Sequence, residues 1–139
     1  KLLLKRVYEI LNNKIKNKKI SFLGVTFKAN TDDMRDSSSL KMIPDLSKKG
    51  AIIRYYDPTG YKVEFKKNKN VEFAKSLTKC LEKTDLIIIH TEWNDFKSLD
   101  FKKFIKNKKF IIFDMRNLYS SEVMAKKKLN YFSVGRGLK

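Results

Sequence analysis

A chain of 139 residues that is 42% hydrophobic and 12% aromatic is long enough to bury one core and too apolar to be disordered as a whole. No apolar run approaches the ~20 residues of a membrane span, no signal-peptide pattern is present, and one cysteine, Cys80, cannot form an intramolecular disulfide, so the expected compartment is the cytoplasm. The net charge of +17 invites a nucleic-acid reading, but lysines such as Lys16, Lys67, Lys108 and Lys127 are scattered through every segment, which reads as a compositional bias shared with Asn rather than a groove.

Taken in order, Leu3, Val7, Ile10, Leu11 and Ile15 recur at spacings of three and four and predict a helix from Lys1 to about Lys16, closed by Lys18 and Lys19 at the negative end of its dipole. It has no cap at its start, so residues 1–18 read as the end of a longer linking helix. Ile20 to Val25 reads as a short buried strand. Polar residues then take over: Gly24 to Leu40 runs GVTFKANTDDMRDSSSL. Asn30, Thr31, Asp32 and Asp33 are turn formers that bond their own backbone, and Ser37, Ser38 and Ser39 are candidate N-caps for a helix from about Ser38 to Lys49. A helix N-terminus flanked by Lys28 and Arg35 attracts anions. Gly50 is placed as a C-cap, while Pro44 conflicts with a helix interior, at a cost of ~3 kcal/mol, and predicts a kink or a late start.

Ala51 to Tyr56 is the second predicted strand, stopped by Asp57-Pro58. Thr59 to Asn70 reads as loop with Lys62 to Phe65 extended, and Phe73 to Lys83 as helix. Asp85 to His90 is the strongest strand, because four consecutive apolar residues imply cover on both faces. Thr91-Glu92-Trp93 leaves it, a short helix lies near Asp100 to Ile105, and Phe110 to Phe113 is the fourth strand, left by Asp114-Met115-Arg116-Asn117. A helix from Ser121 to Lys127 and a strand from Tyr131 to Val134 complete the chain. The alternation predicts a doubly wound, Rossmann-like α/β fold: a mostly parallel sheet of five to six strands with helices on both faces.

Ligands of such sheets bind beyond the carboxyl ends of the strands, and the unusual polar clusters all fall there: Phe27-Lys28 with Arg35, Asp57-Pro58, Thr91 to Trp93, and Asp114 to Asn117. Asp57-Pro58 is also what a plain strand-ending turn looks like, and Trp93 is equally a core ring. His90, the one histidine, has no Cys or His neighbour for a metal and reads as structural. Cys80 reads as a half-buried structural thiol. Gly135-Arg136-Gly137 opens no helix, so the dinucleotide fingerprint is absent. Lys28 and Arg116 each need an anion, supplied either by an internal carboxylate such as Asp33 or Asp114 or by a ligand phosphate.

The ordered motifs GVTFKANTDDMRDSSSL, YYDP, IIIHTEWNDF, IIFDMRNLY and YFSVGRG resemble the C-terminal nucleotide-sugar-binding domain of the UDP-glucose/GDP-mannose dehydrogenase family over residues 19–139, closest to its UDP-glucose branch. The resemblance implies that Phe27, Lys28 and Arg116 contact a UDP-sugar and that Arg35 reaches across a cleft to NAD. It also implies an N-terminal NAD-binding domain as partner, a homodimer, and two NAD-dependent oxidations at C6 of the sugar through a thioester. The family's nucleophilic cysteine precedes this domain in a Gly-rich motif that does not match Cys80. No catalytic residue and no metal site are therefore expected in this chain, and the chain alone is expected to be inactive. Three alternatives stay open at this stage: another UDP-sugar or GDP-mannose dehydrogenase of the same family, a stand-alone nucleotide-binding regulatory module, and a nucleic-acid-binding domain.

Overall fold

The computed structural model describes residues 2–105 and 109–134. The elements are α1 (Leu2–Ile10), β1 (Lys19–Leu23), α2 (Ser39–Lys48), β2 (Ile52–Tyr56), β3 (Val71–Phe73), α3 (Leu77–Leu81), β4 (Leu86–Ile89), α4 (Phe101–Phe104), β5 (Ile111–Asp114), α5 (Ser121–Lys126) and β6 (Asn130–Ser133). Single 3-10 turns lie at Val63–Phe65 and Asn94–Phe96. The six strands form one sheet in the order β3-β2-β1-β4-β5-β6, and every pairing is parallel. The strand order reverses between β1 and β4, where the crevice of a doubly wound sheet opens.

Strand periodicity divides the core in two. Ile20, Phe22, Ile53, Leu86, Ile88 and Phe113 face α1 and α2, whereas Leu23, Ile87, Ile89 and Ile112 face Cys80 and Leu81 of α3, Phe101 of α4 and Met124 of α5. All four residues of β4 are buried, as an apolar run without alternation requires of a strand covered on both sides.

Three local expectations are corrected. The first helix stops at Ile10 rather than near Lys16, because Asn12 and Asn13 take left-handed φ values of 53° and 61° and Asn13 N–H closes back on Tyr8 O at 2.8 Å. Asn tolerates that conformation at little cost and replaces the usual glycine there. Leu11 and Ile15 nevertheless stay in the core beside Val7 and Ile10. Phe73 is a strand residue, not the start of a helix: Val71 and Phe73 pair with Ile53 and Tyr55, and α3 begins after Ser76, whose hydroxyl accepts from Lys79 N–H at 3.2 Å. Lys62 is extended, but Val63–Phe65 is no strand and forms the first 3-10 turn.

Pro44 produces neither a break nor a late start; α2 runs through it. Gly50, at φ 94°, ends that helix as expected, with Ala51 N–H returning to Leu46 O at 3.0 Å. Gly135-Arg136-Gly137 lies outside the described residues. Among the described residues, no helix is long and apolar enough to cross a membrane.

The crevice depends on one glycine. Gly24, at φ 80°, leaves β1 so close to β4 that an added Cβ would stand 2.5 Å from Thr91 Cβ. Gly24→Ala is therefore expected to destabilise the fold by roughly 2–5 kcal/mol, combining about 1–2 for a left-handed non-glycine with about 1–3 for overpacking. Urea denaturation measures it, and a loss below 1 kcal/mol would show that the two strand ends separate freely.

Candidate functional site

Beyond the last ladder bonds of β1 the chain runs Val25 to Lys28, and its backbone groups are bonded by side chains from four directions. Val25 N–H donates to Asp57 Oδ2 at 2.8 Å, and Val25 O accepts from both Ser37 Oγ (2.6 Å) and Ser39 Oγ (2.7 Å). Thr26 O accepts from Thr91 Oγ1 at 3.0 Å. Phe27 O accepts from Arg116 Nη2 at 2.9 Å, and Lys28 O accepts from Thr26 Oγ1 at 2.9 Å. The three carbonyls of the Thr26–Lys28 loop are thus all drawn inward. The side chains of Phe27 and Lys28 face out, the ring 45% exposed, beside the point where the strand order reverses.

The structure brings Phe27, Lys28 and Arg116 together. Arg116 lies across the carboxyl ends of β4 and β1, its Nε donating to His90 O at 2.9 Å, with Nη1 3.8 Å from Glu92 Oε1. The internal carboxylates considered from sequence do not hold its guanidinium. Asp114 is buried and accepts from Arg116 N–H, Tyr119 N–H and Tyr131 Oη at 3.0, 3.0 and 2.6 Å. It organises the turn after β5. The Lys28 ammonium makes no hydrogen bond or ion pair among the described residues, and its field helps lower the pKa of Asp33.

Arg35 sits apart, on the outer part of the same loop. Its Nε and Nη2 both reach the Asp33 carboxylate at 3.1 Å, and the side chain is 89% exposed. The Arg35 hydrogen bonds hold Asp33 below the usual carboxylate range. Asp33 also accepts Arg35 N–H, and Thr31 Oγ1 accepts Asp33 N–H, which is the self-bonded turn expected of these residues.

The serines before α2 divide their work: Ser37 Oγ accepts Ser39 N–H at 3.2 Å at the start of the helix, as a cap would, and the rest of their bonds go elsewhere. Ser38 makes no side-chain cap bond. Ser37 and Ser39 bond β1 through Val25 O, and Ser38 Oγ lies 2.9 Å from His90 Nε2, so the start of α2 is tied to the ends of both central strands. His90 is fully buried, and burial together with the Arg116 charge pushes its pKa down to about 3.

Asp57 is more than a strand-ending turn. Besides Val25 N–H, its carboxylate accepts from Thr59 N–H (2.9 Å) and Thr59 Oγ1 (2.6 Å), which ties the end of β2 to that of β1. Trp93 belongs to the core, 8% exposed. Its buried Nε1 makes no hydrogen bond among the described residues. Cys80 is fully rather than half buried, and burial raises its thiol to about 12, which removes it as a nucleophile at neutral pH. Among the described residues, no three His, Cys, Asp or Glu side chains gather as metal ligands do.

Thr26, Thr91, Ser38 and Asp57 carry positioning work that residue type alone did not reveal. The available signal was hydroxyl residues at the ends of two strands that the fold makes neighbours.

Residues 21–121 match the family model described as the UDP-binding domain of the UDP-glucose/GDP-mannose dehydrogenase family. The chain belongs to that family. It is 35% identical over 133 residues to the UDP-glucose 6-dehydrogenase of Rhizobium meliloti, covering 95% of this chain and 30% of the relative. With the UDP-glucose 6-dehydrogenase of Rickettsia bellii it shares 34% over 137 residues, covering 96% of this chain and 32% of that protein. The NDP-N-acetyl-D-galactosaminuronic acid dehydrogenase of Methanosarcina mazei has the same fold at TM-score 0.78 and 25% identity, over 97% of this chain and 28% of its own. This UDP-binding domain thus spans about a third of the length of the curated relatives it matches.

Its buried histidine gives a pH signature. Unfolded, His90 takes up a proton near pH 6.5; folded, only near 3. Its contribution to stability is complete above pH 6.5 and is lost as the pH falls towards 3, by about 1.4 kcal/mol per pH unit. Urea midpoints recorded from pH 7.5 to 4 should show that slope in the native chain but not in His90→Gln. Equal slopes would mean that His90 is charged or exposed when folded.

Proposed function

We propose that this domain forms the nucleotide-sugar side of the substrate cleft of an NAD-dependent UDP-glucose 6-dehydrogenase, which oxidises UDP-glucose to UDP-glucuronate. The observation that carries the reading is the Thr26–Lys28 loop. Its carbonyls are bonded inward while an exposed aromatic ring and an ammonium without a partner among the described residues stand at the strand-order reversal. The relatives named UDP-glucose 6-dehydrogenase support the choice of sugar.

In this reading the Phe27 ring packs against the nucleotide, the Lys28 ammonium donates to an anionic or hydroxyl oxygen of the UDP-sugar, and Arg116 offers Nη1 to the same ligand in exchange for Glu92 Oε1. These contacts position substrate and contribute to rate through orientation. Bound NAD supplies the hydride acceptor. Among the described residues this chain fits NAD at one point: no glycine-rich turn leads from β1 into α2, where inward-bonded serines stand instead, and Arg35 is the exposed cation on the outer loop that an NAD phosphate would reach, by exchange with Asp33. The remainder of the NAD site belongs to an N-terminal domain joined through α1. That linking helix carries the contact of a homodimer, and the enzyme works in the cytoplasm.

Lys28→Ala in the full-length enzyme is expected to raise KM for UDP-glucose about ten- to a hundredfold, because a hydrogen bond to a charged group contributes about 1.5–3 kcal/mol, and to leave KM for NAD unchanged. Calorimetric titration of the 139-residue chain with UDP should weaken in parallel. A normally stable variant with an unchanged UDP-glucose KM would overturn the reading. A lowered melting temperature with both KM values raised would reduce Lys28 to a loop tether against Asp33.

A further inference from the structure

The hydrogen bonds behind the substrate loop have only one consistent proton arrangement. Thr26 O can only accept, so the single proton of the Thr91 hydroxyl points to it, at 3.0 Å. His90 Nδ1 lies 3.0 Å from that same hydroxyl oxygen and must therefore be the nitrogen that carries hydrogen. Nε2 is left as an acceptor, and Ser38 Oγ, 2.9 Å away, donates to it. At the far end Thr26 Oγ1 donates to Lys28 O at 2.9 Å. Donation thus runs one way, from Ser38 through His90 and Thr91 to the carbonyl of Thr26, where it ends. The hydroxyl of the same Thr26 makes a separate bond to Lys28 O, so the two are joined through the backbone of Thr26, and neither bond can reverse because both carbonyls are acceptors only.

His90 also acts through its backbone. Its carbonyl accepts Arg116 Nε at 2.9 Å, and Arg116 continues to Phe27 O. His90 is therefore the residue linked both to Lys28, through its ring, and to Arg116, through its carbonyl.

We infer that His90 and Thr91 are positioning residues for the UDP-sugar: the Nδ1–H tautomer of His90, relayed through Thr91 and Thr26, sets the distance between the Lys28 ammonium and the Arg116 guanidinium. This rests on the UDP-site reading above. It adds that affinity for the nucleotide sugar is controlled from the interior, by two side chains that do not touch the ligand. The ring supplies rigidity through its two opposed nitrogens, and the Thr91 hydroxyl supplies an acceptor and a donor on one atom. Valine has the shape of that threonine but neither function. Serine keeps both.

The test is a KM comparison in the full-length enzyme, with melting curves alongside. Thr91→Val and His90→Gln, which remove the acceptor and the donor of the middle link, should raise KM for UDP-glucose about tenfold, the equivalent of one hydrogen bond, with kcat and KM for NAD changed less than about twofold. Thr91→Ser, and His90→Asn, whose side-chain amide places an N–H where Nδ1 stood, should restore it to within about threefold. A purely packing role predicts the reverse ranking, with Val better tolerated than Ser, and losses that follow melting temperature and raise both KM values together. Should Thr91→Val fail to fold, the His90→Gln and His90→Asn pair decides alone. Lys28→Ala separates the two readings: if it leaves the UDP-glucose KM unchanged, the site itself is wrong and this inference falls with it. If Lys28→Ala raises KM while Thr91→Val and His90→Gln do not, the site stands and the relay is refuted.

Discussion

At the carboxyl edge of a parallel sheet the ladder stops, yet the backbone leaving the central strands is still buried and its N–H and C=O groups must find partners. In this chain nearly the whole arrangement of the site answers that requirement. Asp57 takes Val25 N–H, two serines take Val25 O, and Thr91, Arg116 and Thr26 take the next three carbonyls. Each buried group left bare would cost about 1–3 kcal/mol, and the six bonding side chains come from five separate parts of the chain, which fixes the loop from several sides. Exposure of Phe27 and Lys28 follows from satisfying the atoms behind them.

The cationic side chains divide by chemistry. Arg54 donates Nη1 to Lys79 O at 2.7 Å and Nη2 to Glu82 O, at the end of α3. Arg116 joins two carbonyls across the crevice and Arg35 grips Asp33 with two nitrogens. A planar fork with several fixed donors suits such multiple attachments. Lys28, a compact charge on a flexible stem, stays unattached among the described residues and is the group able to follow a ligand. The large net charge is therefore a poor guide to function here, because the sites that matter are set by which cations the fold has already engaged.

How much was legible in the sequence varied with the range of the interaction responsible. The four apolar residues of β4 announced a doubly covered strand, Gly50 announced a helix end, and the polar clusters were placed correctly at the carboxyl ends of the strands. β3 was missed because three residues carry too little alternation to outweigh the helical spacing that follows, and Ser76 in fact starts that helix. The early end of α1 lay in two asparagines that adopt left-handed backbone only where packing returns Ile15 to the core. The serines before α2 looked like caps, and Ser37 does accept Ser39 N–H, but their other partners, Val25 O and His90, lie on other elements. Asp57 and Arg116 stood out from the start, but whether a carboxylate, a carbonyl or a ligand would meet them is a tertiary fact.

The strand order has a consequence for how the chain reaches its working state. β1 with α2, β2 and β3 form one run and β4 to β6 another, and the runs meet where Ile20 pairs with Leu86. That pairing closes the longest loop in the sheet, and distant closures are the slow, entropically costly part of folding. Three attachments of the substrate loop, Ser38 to His90, Thr91 to Thr26 and Arg116 to Phe27, cross the seam between the runs. Either run by itself holds one partner of each and the geometry of none, so the site exists only once the two runs are joined.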